Sequence, residues 1–96
     1  MPDVIAKRVP DAKTLPTQPG EFKICCNDKG EPGRLVFACP CGCGDIGGIG
    51  LPPGNQQGPT WTWNGDWDRP TCTPSIRFLS GCKWHGYLTD GVFRSC

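Results

Sequence analysis

The chain is poor in the features that build helical, membrane or nucleic-acid-binding proteins. No apolar run approaches the roughly 18 residues that a membrane span requires. No sustained helical period survives the 14 glycines and 11 prolines scattered through 96 residues. Neither sign of charge is in excess: the formal net charge is +1, which leaves no electrostatic footprint for nucleic acid or an anionic membrane. Glutamate occurs only at Glu21 and Glu31, and histidine only at His85. Met1–Gly20 holds four prolines and scattered charges in place of a leader's apolar segment, so the protein is expected in the cytoplasm.

Hydrophobic residues are also scarce, at 36%. Four Trp, four Phe and one Tyr nevertheless supply a thin core. A single domain of this size leaves much of its surface unburied and usually needs a disulfide or metal staple. With no sign of an oxidising compartment, the eight cysteines read as metal ligands and buried thiols rather than a disulfide framework.

The expected fold is all-β, made of short antiparallel hairpins joined by long loops. Residues 1–20 read as an extended arm in which Val4-Ile5-Ala6 alone can add an edge strand, and 21–96 as one metal-binding β domain. Alternation marks strands at Glu21–Cys26 and Arg34–Cys39, joined through the turn-forming Asn27–Gly33. Gly44–Pro59 reads as loop. Asn64-Gly65 between Thr60–Trp63 and Asp66–Arg69 is a hairpin signal that would set Trp63 opposite Asp66. Thr71–Leu79 reads as a strand interrupted by Pro74. Asp90-Gly91 closes a final hairpin in which Thr89 faces Val92, Leu88 faces Phe93, Tyr87 faces Arg94 and His85 faces Cys96.

The chemistry concentrates in two clusters. Cys39-Pro40-Cys41-Gly42-Cys43-Gly44 places three sulfurs in five residues, and Cys82-Lys83-Trp84-His85 adds a cysteine and the histidine at a spacing one turn can close. Thiolates and imidazole are the ligands that zinc selects. Cys39, Cys41, Cys43, Cys82 and His85 are therefore five candidates for the four positions around one zinc ion. Three Cys with His85 is the expected set, with Cys82 and His85 its fixed members and Cys96 in reserve. Cys25, Cys26 and Cys72 read as structural thiols. Catalytic zinc would need an open position and a nearby acid; both glutamates lie away from the clusters, and the nearest acid is Asp45.

Cys82-Lys83-Trp84-His85-Gly86 is locally similar to the C-x2-H-G motif of Rieske iron–sulfur proteins. The companion C-x-H motif is missing, since cysteine stands where it would need histidine. More of the chain resembles a family of small phage and bacterial proteins with no assigned activity. The matching features are C-P-C-G-C-G at 39–44, Trp61 or Trp63, Pro-Thr-x-x-Pro-Ser-Ile at 70–76, Cys82 with His85, and the closing hairpin. Cys72, where a hydrophobe is expected, and the Cys25-Cys26 pair depart from it. The resemblance implies a compact β domain with a bound metal. Some of its members sit beside ubiquitin-like conjugation genes, which hints at a protein partner.

Taken together, the sequence reads as a non-catalytic zinc module that binds another protein through its tryptophan-bearing face. The alternatives are an iron–sulfur redox protein and a zinc-dependent hydrolase.

Overall fold

The computed structural model describes residues 3–10, 14–52, 54, 60–78 and 81–95. Among these there is no helix. Nine strands follow one another as β1 (Val4–Ile5), β2 (Lys7–Arg8), β3 (Glu21–Cys26), β4 (Pro32–Ala38), β5 (Ile46–Gly50), β6 (Thr62–Trp63), β7 (Cys72–Arg77), β8 (His85–Thr89) and β9 (Val92–Ser95). They form a five-stranded sheet in the order β1-β9-β8-β7-β6 and a four-stranded sheet in the order β2-β3-β4-β5.

The alternation read from the sequence orients these sheets. Phe22 and Ile24 on β3, Leu35 and Phe37 on β4, and Leu88 and Phe93 on β8 and β9 turn inward to one core. Phe37 of one sheet and Phe93 of the other lie with ring centroids 5.1 Å apart. Trp84 packs edge-on against Phe37, Phe78 and Phe93. Its indole N–H donates to Ser95 Oγ at 2.9 Å, which satisfies the one polar atom that the ring carries inside.

The last hairpin has the expected register from Thr89↔Val92 to Gly86↔Ser95. The expected pairing of His85 with Cys96 lies outside the described residues. The N-terminal segment is woven into both sheets. Val4–Ile5 adds an antiparallel edge to β9, and Lys7–Arg8 a parallel edge to β3. Between them, Ala6 N–H donates to Gly91 O at 2.8 Å and Lys7 N–H to Gly20 O at 3.0 Å, so the chain passes from one sheet to the other there.

Two local readings are corrected. Ile46–Gly50, expected as loop, is a full strand paired with β4 from Ala38↔Ile46 to Arg34↔Gly50. Glycine weakens a strand alone, but it admits close neighbours: Phe78 lies where a Gly47 side chain would sit. The hairpin expected at Asn64-Gly65 does not form either. Asn64 Oδ1 accepts from the N–H groups of Asp66 and Thr71, and Asp66 Oδ1 from those of Asp68 and Arg69. The side chains thus replace a strand ladder with capped turns, and Trp63 pairs with Cys72 on β7 rather than with Asp66. The backbone donors of Arg69 and Asp68 hold the Asp66 carboxyl below its ordinary range.

Cys72 is buried in the core, as expected of a structural thiol, and burial pushes its pKa up to about 12. Iodoacetamide should therefore leave Cys72 unmodified in the native protein near neutral pH and alkylate it in urea, as read by peptide mass mapping. Phe93→Ala should cost about 3–5 kcal/mol of stability in denaturant titration, since it empties the centre of the core.

Candidate functional site

Two chemical clusters are fed by a single short segment, from Cys82 to His85. The C-P-C-G-C-G stretch is the connection from β4 to β5. Cys39 N–H donates to Asp45 O at 2.9 Å and Gly42 N–H to Cys39 O at 3.0 Å, which folds the stretch into a tight double turn. Gly42 and Gly44 sit at φ +85° and +91°, in the left-handed region that glycine enters without a steric cost. Asp45 N–H points at Cys43 Sγ at 3.4 Å.

Cys82 arrives from the other sheet, 43 positions along the chain from Cys39, and its Sγ lies 3.4 Å from Cys39 Sγ. Cys39 Sγ and Cys41 Sγ are 3.2 Å apart. The sulfurs of Cys39, Cys41, Cys43 and Cys82 all lie within 4.8 Å of one another. A tetrahedron of sulfurs bonded to zinc at about 2.3 Å has edges of about 3.8 Å. Small adjustments would therefore close the four sulfurs on an ion, and they are placed to hold a metal such as zinc. Burial raises the Cys39 thiol well above its ordinary value, so a thiolate there depends on a cation for compensation. Four sulfurs fill a tetrahedral shell and leave no open position for a catalytic water.

His85, expected as a ligand, is not in this group. Its Nε2 lies 3.0 Å from Ser75 Oγ. The reason is local geometry. Trp84 turns into the core while Phe78 N–H donates to its carbonyl at 2.9 Å, so the next residue, His85, must project from the opposite face of the sheet. Gly86 is needed beside it, because a side chain there would collide with the Arg94 carbonyl and the Trp84 ring. Cys82 thus joins the sulfurs and Trp84 the core, while His85 goes to the outer face.

Ser75 comes from β7, where the strand is irregular between Cys72 and Ile76. The Trp61 indole N–H donates to the Ser75 carbonyl at 3.3 Å and ties this irregular stretch down. Ser75 and His85 are both half-buried. For Nε2 to accept the serine proton, the imidazole must carry its own proton on Nδ1. Among the described residues no carboxylate bonds that nitrogen, so the arrangement is a serine–histidine dyad.

Sequence reasoning missed Ser75. It stands in the Pro-Thr-x-x-Pro-Ser-Ile stretch at 70–76, which was the only signal able to single it out. Cys25 and Cys26, half-buried and exposed, lie outside both clusters. Among the described residues no helix is long and apolar enough to cross a membrane.

The sulfur-only shell makes a prediction that the mixed shell does not. Purified His85→Ala should retain about one zinc per chain by elemental analysis, whereas Cys39→Ser and Cys82→Ser should lose it. The native protein should be colourless, and visible absorption with bound iron would assign the sulfurs to an iron–sulfur cluster instead. Stripping the ion with a strong chelator should abolish the near-ultraviolet signal of the tryptophans, since metal binding in such small domains is folding free energy, about 10–16 kcal/mol in zinc-finger peptides.

No curated protein and no solved structure matches the chain. Residues 7–96 match a family described as bacterial ubiquitination-like system serine protease, BubE. That span takes in every strand but β1, the four sulfurs and the dyad, and the chain belongs to the BubE family.

Proposed function

We propose that the protein is a serine hydrolase of peptide bonds acting in a bacterial ubiquitination-like system, with Ser75 as nucleophile and His85 as general base. The observation that carries this reading is the 3.0 Å contact between Ser75 Oγ and His85 Nε2. It departs from the non-catalytic module expected from the sequence. The family description, a serine protease, supports the same choice.

A serine hydroxyl is a weak nucleophile until a base within hydrogen-bond reach takes its proton. Here Nε2 accepts the proton as Ser75 Oγ attacks the substrate carbonyl carbon and forms the tetrahedral intermediate. The protonated imidazole then donates that proton to the departing amine as the carbon–nitrogen bond breaks, leaving an acyl ester on Ser75. Water, deprotonated by His85 in turn, attacks the ester; the acid is released and the serine regains its proton.

The four-cysteine shell would hold its ion as a structural clamp. It would fix Cys82, and through the short run to His85 it would limit how far the imidazole can drift from Ser75. Geometry of this kind contributes to rate, because a displacement on the order of 1 Å can cost about a hundredfold. In this reading the sulfurs do no chemistry on the substrate.

A fluorophosphonate should label the wild-type protein on Ser75, as read by intact mass and peptide mapping. Ser75→Ala and His85→Ala should each lose labelling while keeping the native near-ultraviolet signal. Undiminished labelling of Ser75→Ala would defeat the assignment, and so would an unlabelled wild type.

A further inference from the structure

The outer face of the five-stranded sheet carries a cation that the dyad chemistry does not use. Arg77 and His85 are Cα partners across β7 and β8. The Phe78 N–H donates to Trp84 O on the adjacent rung, so Arg77↔His85 is a non-hydrogen-bonded pair, the kind in which side chains stand closest. Arg77 is also two residues from Ser75 on the same strand. Tyr87 is two residues from His85 on β8 and on the same face. Ser75, Arg77, His85 and Tyr87 thus share the outer face around the 3.0 Å contact of the dyad. Tyr87 is 47% exposed, and Arg77 is exposed.

Among the described residues Arg77 has no ion pair and no side-chain hydrogen bond. The remaining cation of β9 on this face, Arg94, meets Asp3 only at 4.0 Å, and both are exposed. Among the described residues no carboxylate forms a hydrogen bond or ion pair with Ser75, His85 or Arg77. This placement is electrostatically odd for a catalyst. His85 takes up a proton during the reaction, and the guanidinium of its cross-strand partner adds positive charge to the same face. An anion brought between them offsets both charges, and the one group always present at the moment of reaction is the substrate.

We infer that Arg77 is a specificity residue which binds a carboxylate of the substrate, so the site takes peptides carrying an acidic residue next to the bond cleaved. This rests on the assignment of Ser75 as nucleophile. A guanidinium holds a carboxylate through two parallel N–H···O bonds, which fixes the orientation of the chain over Ser75. The same contact offsets the charge that develops on His85. Arg77 therefore acts on recognition and on the transition state together. Tyr87, beyond His85 along β8 on the same face, offers an apolar surface for the other flank.

The test uses peptide diphenyl phosphonates that differ only in Glu, Gln or Lys beside the phosphorus, with labelling of Ser75 followed by intact mass. The wild type should react with the Glu reagent about tenfold faster than with the Gln reagent, the scale of one charge-assisted contact. Arg77→Gln should bring the two rates together, and Arg77→Glu should favour the Lys reagent. Raising the salt concentration should shrink the wild-type preference. Equal Glu and Gln rates in the wild type would overturn the inference, as would a preference that survives in Arg77→Gln. An uncharged fluorophosphonate separates the two levels. If it labels Ser75 while the Glu and Gln reagents react alike, only carboxylate recognition fails; if it labels nothing, the nucleophile assignment fails first.

Discussion

The convergence of Cys82 with Cys39, Cys41 and Cys43 is the constraint on which the rest of this structure leans. The β4–β5 turn belongs to one sheet and Cys82 leads into β8 of the other, with Cys39 and Cys82 43 positions apart. Elsewhere the sheets are joined by the N-terminal crossing at Ala6–Lys7 and by a core of modest size, whose largest members are three phenylalanines, Trp84 and a few aliphatic side chains. An ion on the four sulfurs would close the long segment between them. It would thereby remove much of the conformational freedom that so glycine-rich a chain retains when unfolded. That one clamp would stabilise the sandwich and also aim the strand that carries His85.

The run from Cys82 to Gly86 shows how few residues are needed to couple structure to chemistry. Its sulfur faces the cluster, its tryptophan fills the core, its imidazole reaches Ser75, and its glycine makes room for the ring two places back. Each position answers a different demand, and a strand's alternation allows successive demands to point to opposite faces. Ser75 is held from the other side by the Trp61 indole on its carbonyl. The dyad is thus braced on both strands, although neither residue belongs to the core. A serine and a histidine on a solvent-facing sheet would otherwise sample many rotamers, and bracing of the backbone is what makes their 3.0 Å contact meaningful.

Much of the architecture was legible before the structure. The final hairpin was readable to the residue, because a two-residue turn leaves one register and Leu88 with Phe93 leaves one inward face. The sulfur cluster was legible because three cysteines in five residues, with a fourth leading into the last hairpin, match the ligand type that zinc selects. The Asn64-Gly65 signal misled because Asn64 and Asp66 can cap backbone donors themselves, a competition that β-former counting ignores. The β5 strand escaped notice because its glycines lack side chains to show alternation, while their value lies in admitting Phe78. His85 was drawn to the metal by its spacing from Cys82. Spacing cannot register that Trp84 takes the inward face and turns His85 outward.

The amino-acid sequence by itself determined that this is an all-β chain with short hairpins and a cluster of sulfurs, because turn chemistry, alternation and ligand type are local properties. Only the tertiary structure decided which donors meet and which partner the histidine takes. Ser75 and His85 become neighbours because β7 lies against β8 and because alternation along β7 puts Ser75 on the same face as Arg77, the cross-strand partner of His85. Strand order and facing are set by the packing of the whole core, and no spacing between residues 75 and 85 records them. The same packing sets Arg77 across from His85, and with it a charge at the edge of the dyad.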